Sequence, residues 1–547
     1  MASYMNESDL FQLLLRPLAT DMVANGVPYP DALSILHWVD PANPKYVSHL
    51  DQWQYLLCGG AITSIEPFPR GLIDLGVVRP CGAHCWALAR DVSPSFVGFL
   101  HKIMRLLIKF RGHPRKQTDW DDVERRLSHP CHQLDRQLVG EMQRVLDCTR
   151  APESWERLVG KFGPGVTADR LTPLGKWGRY GVFPAKVPIT TFITSVDDYI
   201  SLPPIRTAKY GFVKMGEVPK TLKSNRLVGA ELGNFMFAQL AVGNALDSEL
   251  HRLFGKHYCT HDQQRHKQLL KKPGFTSIDL SDASDYVSRR LVFQIMPQWR
   301  DYLFSVRASF ALLPSGRKIP LRTFAPMGDG TCFRVLSAVT CTICRLLCRH
   351  DWSVVGDDMI VHVDDYWSVI DALEGAGLKV NYSKSCPHGY YRESCGCEML
   401  GDFDITSIYL RSDPQQMGGA AMEYLAYSLR EAGLCATLRA IFERSEMAPR
   451  VAVNRGLQQL VTEVRVERPL TPQLRLFGTN GLFRWFCTRA EEATVYRGSV
   501  RTKTVQARRP ASNYPFLTLV ACNHATLDSF WNNIPLWDRP VETILGW

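Results

Sequence analysis

The sequence has no run of about 18 apolar residues, the length a membrane-spanning helix needs. It shows no internal repeat and no low-complexity tract, which argues against a solenoid or a disordered scaffold. No Gly-x-x-x-x-Gly-Lys-Ser/Thr loop occurs, so a nucleoside triphosphatase of that class is not supported, and neither His-Glu-x-x-His nor Gly-x-Ser-x-Gly is present. The opening Met1-Ala-Ser-Tyr-Met-Asn-Glu-Ser-Asp lacks a basic region leading into an apolar core, so no secretory leader is expected. The 16 cysteines are scattered. Cys341, Cys344 and Cys348 follow a helical spacing, and Cys395 and Cys397 lack a second pair at zinc-ligand distance. Reduced thiols in a cytoplasmic protein are the expectation.

The chain has 547 residues, 45% hydrophobic and 22% charged, which fits a globular protein of two to four subdomains. A net charge of +10 suits a polyanionic partner without requiring one. Residues 1–205 show short helical patterns broken by Pro and Gly. Within them Leu100–Arg111 is basic and amphipathic, either a solvated helix face or a track for a phosphate backbone.

The most informative stretch is Val354-Val-Gly-Asp-Asp-Met-Ile-Val361. Apolar and β-branched residues on both sides of Gly356 predict strand, tight turn, strand, with two carboxylates at the tip. The tripeptide alone occurs by chance in roughly one chain in ten of this length. Its surroundings add to it. Phe275–Leu280 predicts a strand that brings Asp279 beside Asp357. Val287–Met296 predicts a helix stopped by Pro297, and a helical period runs from Gly330 to Cys348 through Phe333, Leu336, Thr340, Ile343 and Leu347. Asp364 or Asp365 would cap a helix ending near Gly375, and Leu378–Tyr382 returns as a strand. That order predicts a split βαβ arrangement, an antiparallel sheet backed by helices.

Asp279, Asp357 and Asp358 then form an oxygen-only set able to hold two divalent ions about 3.5–4 Å apart for an in-line displacement at phosphorus. Asp285 has a simpler alternative as a helix cap. Lys220, Lys223 and Arg226 in Val218–Arg226 would cradle phosphates, or line an ordinary surface loop. Met327-Gly-Asp-Gly-Thr331 is a loop opening onto a helix, where glycines allow close backbone approach.

Together these segments resemble the RNA-directed RNA polymerases, most closely the replicase β-subunit of single-stranded RNA bacteriophages of levivirus type. The matching stretches are Pro219-Lys-x-x-Lys-x-x-Arg226 with Glu231-x-x-Asn234 and Gln239-Leu-x-x-Gly243, then Ile278-Asp-Leu-Ser-x-Ala-Ser-Asp285, Met327-Gly-x-Gly330, Gly356-Asp-Asp358, and Arg392-Glu-Ser-Cys-Gly396 followed by Asp404 and Tyr409-x-Arg411. The resemblance implies a right-hand α+β fold of fingers, palm and thumb. Its parts would be an N-terminal region with fingers over 1–205, fingers with the basic nucleotide channel over 206–272, a palm over 273–412, and a thumb with the C-terminal region over 413–547. It implies two Mg²⁺ ions on Asp279, Asp357 and Asp358, replaceable by Mn²⁺ or Ca²⁺. Lys220, Lys223 and Arg226 would line the nucleotide channel, Asp285 and Gly328 would help read the ribose, and Lys384 would protonate the leaving pyrophosphate.

It also implies template and product RNA, nucleoside triphosphates, the thermo-unstable and thermo-stable host translation elongation factors, and a ribosomal RNA-binding protein as partners, with no membrane. The setting would be the cytoplasm of an infected bacterium. Cys332, Arg334 and Leu336 depart from the Thr and Asn many polymerases use for ribose selection, and Val355 stands where an aromatic is common. Near the C-terminus, basic residues from Arg484 to Arg509 interleave with Trp485, Phe486 and Tyr496, a composition that suits single-stranded RNA or an ordinary basic surface.

Overall fold

The computed structural model describes residues 6–63, 68–82, 85–110, 117–128, 133–163, 165–170, 181–192, 205–417 and 419–445. The basic and aromatic stretch at 484–509 lies outside them.

A three-stranded antiparallel sheet positions the acids. Its order is Ser353–Val355, Asp358–His362, Phe275–Ile278. Val354, Met359, Ile360, Val361 and Ile278 are buried, so these strands are apolar on both faces rather than alternating. The helix Cys332–Leu347 packs behind the sheet, and Leu336, Val339 and Ile343 join the same core as Val354 and Met359. Phe333 does not follow the predicted inward face. It is 38% exposed and leans over Gly356.

The strand expected at Leu378–Tyr382 is reduced to an isolated bridge between Val380 and Leu280. Its backbone still bonds across, through Ser281 N–H to Lys379 O at 2.8 Å and Asn381 N–H to Asp279 O at 2.9 Å. The helix expected from Val287 begins at Arg289, because Ser288 caps it by accepting from Leu291 N–H. Asp365 stands at the start of the helix Tyr366–Gly375 without capping it, since its carboxylate accepts from His350 instead.

A second sheet runs Lys318–Pro320, Ala308–Leu312, Gly211–Pro219, Asn225–Ala230. Residues Leu313–Arg317 turn the chain between its first two strands, which are short. A third, Tyr391–Ser394, Cys397–Leu400, Phe403–Asp404, is an antiparallel meander.

The N-terminal helices Glu7–Ala24, Tyr29–Trp38, Tyr46–Leu57 and Pro94–Arg105 share one hydrophobic core with residues 386–442. One thiol pair departs from the reduced expectation: Cys58 and Cys386 are disulfide-bonded, with Cα atoms 5.2 Å apart. They are 328 residues apart in sequence, and only the packing of the N-terminal core against the 386 region makes them neighbours. Among the described residues, no helix is long and apolar enough to cross a membrane.

Candidate active site

The Gly356-Asp357 loop is two residues long, flanked by the Val355–Asp358 pair. Gly356 has φ +67°, the left-handed region that glycine enters freely and that the first position of a tight hairpin turn requires. A Cβ there would meet the Phe333 ring at 2.2 Å. The Gly356 carbonyl accepts from Thr340 Oγ1 at 2.9 Å, so the helix behind the sheet holds the turn in place.

Asp279 follows the neighbouring strand. Its N–H donates to Ser385 Oγ at 3.0 Å, and its carboxylate accepts from Asn381 Nδ2 at 2.8 Å and pairs with Lys384 Nζ at 3.3 Å. Burial alone would lower the Lys384 ammonium, but Asp279 and Glu393 raise it above the usual lysine range and keep it charged. Burial and the Asp279 charge push Asp357 up, against the pull of Lys220 and Lys384. Asp358 is raised to about 7, by burial first and then by Asp357, Glu393 and Asp279. Its Oδ2 accepts from Cys395 N–H and Sγ, each at 3.3 Å.

Carboxylates that repel one another in a half-dry site are what a hard cation relieves. The donor set Asp279, Asp357 and Asp358 therefore fits Mg²⁺ by its chemistry: oxygen only, negative, and under-neutralised by Lys384 and Lys220 alone.

Lys220 and Lys223 occupy the loop between Gly211–Pro219 and Asn225–Ala230. Burial lowers the Lys220 ammonium, and Lys384 and Arg226 lower it further, while Asp279 and Asp357 oppose them. Those influences bring Lys220 and the two acids into one electrostatic neighbourhood. Lys223 is engaged differently. It pairs with Asp51 of the helix Tyr46–Leu57, so its charge is already answered from the N-terminal region.

Asp285 does not cap a helix. It is buried against Arg126 at 3.2 Å, and burial lifts its carboxyl to about 6 despite that pairing. Gly328 has φ +118°, and a Cβ there would strike Gly229 O at 2.1 Å. The close approach its loop makes is thus to the chain's own strand, sealed by Gly229 N–H to Met327 O at 2.7 Å. In the basic stretch 100–110, Arg105 turns inward to Glu398 at 2.6 Å and Lys109 lies over the Tyr409 ring at 3.8 Å.

Several residues that sequence reasoning left out hold this site. Asn381 lies one turn before Lys384, a spacing that could have flagged it. Glu393 sits within the Arg392–Gly396 segment, and its carboxyl is raised by burial and by Glu398 and Asp279. Arg126 and Asp51 carry no local signal at all.

Residues 200–421 match the family model described as RNA replicase, beta-chain. Over that stretch the chain is similar to RNA replicase β-chains. Over 205 residues it is 34% identical to the RNA-directed RNA polymerase subunit beta of Enterobacteria phage SP, covering 36% of this chain and 35% of that one. Over 209 residues it is 29% identical to the subunit of the same name from Escherichia virus Qbeta, covering 37% and 35%. The match thus spans about a third of the length of these relatives. Among solved structures, a deletion mutant of the RNA-dependent RNA polymerase of a human picorbirnavirus aligns at a TM-score of 0.40 and 11% identity, over 97% of this chain and 91% of that one. The matched segment contains Asp279, Asp357, Asp358, Lys384, Lys220, Asp285 and Gly328. Arg126, Asp51 and Arg105 lie before it.

Proposed function

We propose that the chain is an RNA-directed RNA polymerase that replicates the genome of a single-stranded RNA phage. The observation that carries this reading is the shared electrostatic neighbourhood of Asp279, Asp357 and Asp358, with Lys384 paired to Asp279, inside the matched segment. In the proposed reaction a growing 3′-hydroxyl attacks the α-phosphate of a nucleoside triphosphate, and pyrophosphate leaves.

Asp279, Asp357 and Asp358 would hold two Mg²⁺ ions, which supply charge neutralisation at the reacting phosphate and at both the attacking and leaving oxygens. The chain's own groups do the rest. Asn381 and Ser385 fix the Asp279 side chain and backbone, and Thr340 fixes the turn that carries Asp357. Lys384 is kept protonated by its carboxylate neighbours, so it reaches the reaction able to donate to the departing pyrophosphate. Lys220 and Arg226 would meet the triphosphate, with Lys223 bracing the loop through Asp51. Asp285, held by Arg126, and the Gly328 loop would shape the ribose pocket beside Cys332 and Arg334.

In the same reading, 1–205 and 206–272 build the fingers, 273–412 the palm and 413–547 the thumb region. The two host elongation factors and a ribosomal RNA-binding protein join the chain in the bacterial cytoplasm.

The direct assay gives the full chain an RNA template and labelled nucleotides, with and without those host factors. Mg²⁺-dependent RNA product that ribonucleotides support and deoxyribonucleotides do not is the expected result. Equal use of deoxyribonucleotides would favour a reverse transcriptase, and no incorporation with the factors present would sink the assignment.

A further inference from the structure

A second group of metal-ligating side chains lies away from the carboxylate hairpin. We infer that Asp247, His251 and His261 form a site for a divalent transition-metal ion, zinc foremost. Asp247 and His251 are four residues apart on the helix Gly233–Phe254, so they share one face. The helix stops at Gly255, whose φ of +54° turns the chain back. That reversal stacks the His261 ring on His251, with centroids 4.8 Å apart. One donor atom from each of the three residues lies within 4.8 Å of the others, in reach of a single ion once they draw in to about 2.1 Å.

The donors are prepared for it. His251 Nε2 is buried and has no hydrogen-bond partner. A buried ring nitrogen left unsatisfied carries a desolvation penalty that a metal bond would remove. Asp247 Oδ1 accepts from Tyr258 Oη at 2.6 Å, which orients the carboxylate and leaves Oδ2 directed at His261 Nε2, 2.7 Å away. A metal-binding carboxylate is commonly steered by such a neighbour. The Asp247 side chain is 13% exposed and that of His261 66%, so the site is walled on one side and open to ion entry on the other. Two imidazoles and one carboxylate select zinc, cobalt or nickel over Mg²⁺, which prefers oxygen alone.

The ion would act as a clip. Tyr258 bridges Val354, and Cys259 N–H donates to Val354 O at 2.9 Å, on the edge strand of the sheet that carries Asp357. Joining His261 to the long helix would fasten that edge.

The test uses the full chain, stripped with chelator and returned to buffer containing excess Mg²⁺, then titrated with Co²⁺ as a spectroscopic probe. Wild type should bind Co²⁺ stoichiometrically, with the visible absorption of imidazole coordination in a low-coordinate site. His251→Ala and the exposed His261→Ala should both abolish it, so the outcome does not hang on the folding of one variant. Tyr258→Phe should weaken binding roughly tenfold. Zn²⁺ should raise Tm in wild type and leave Tm of His261→Ala unchanged. His350→Ala, which disrupts the separate His350, His362 and Asp364 group, should leave the signal intact. Equal Co²⁺ binding by wild type and His261→Ala, or loss of the signal only in His350→Ala, would overturn the inference. None of these readouts depends on polymerase activity.

Discussion

The acidic and the basic sides of the candidate active site are built by different means. Asp357 and Asp358 sit on a turn whose strands pair within residues 275–362 and whose backbone is held by Thr340 from the adjoining helix. Lys220 and Lys223 sit on a loop whose support comes from far earlier in the chain. Leu222 N–H donates to Ile108 O at 2.9 Å, and Lys223 pairs with Asp51. Asp285 belongs with the second kind, since Arg126 holds it. In the proposed reading, Asp357 and Asp358, which would meet the metal ions, are fixed by local hairpin geometry. Those that would meet the triphosphate or shape its pocket are fixed by contacts across the fold.

Gly356→Ala attacks the locally fixed side. The positive φ and the 2.2 Å encounter with Phe333 force the turn to shift, and a displacement near 1 Å lowers incorporation by about 100-fold. Steady-state kinetics check this; unchanged kcat would show that the turn tolerates movement. Arg126→Ala strikes the remotely held side. It strands a buried carboxylate, and unfolding in urea should show a loss of about 3 kcal/mol.

Asp358 gives the sharper test of charge strain. Its folded-state pKa of about 7 lies above the unfolded value, so the folded protein binds the extra proton and metal-free stability falls as pH rises from about 4 to 7. Asp358→Asn should flatten that slope and stabilise the metal-free chain at pH 8 by about 1–3 kcal/mol. A slope unchanged in the variant would mean the strain lies elsewhere.

On the basic side, Lys220→Ala with Arg226→Ala should raise KM for nucleotide about tenfold or more while leaving template affinity unchanged. Asp51→Ala should have the smallest effect, under about 1 kcal/mol in stability, because the Asp51 carboxylate is 64% exposed.

The same contrast explains what could be read in the sequence. The Gly356-Asp357-Asp358 hairpin depends on neighbours a few residues away, and Asp279 follows an apolar strand whose pattern is visible, although the groups that hold it lie more than 100 residues later. The helix Cys332–Leu347 was visible for the same reason, although Phe333 left its predicted face to cover Gly356. Arg126, Asp51 and the Cys58–Cys386 disulfide depend on which distant surfaces meet, and no local spacing encodes that. The glycines near 328 mark a loop in the sequence, while their packing against Gly229 is a tertiary contact that no local spacing encodes. Asn381 orients the Asp279 carboxylate from three residues before Lys384, and an amide in that role has no motif of its own.

The central claim is that Asp357 holds catalytic metal for nucleotide transfer. The most direct measurement is single-nucleotide incorporation by Asp357→Asn on a primed RNA template in Mg²⁺, with RNA binding measured on the same preparation. The account predicts incorporation lost and RNA affinity preserved. Wild-type incorporation by the variant would contradict it.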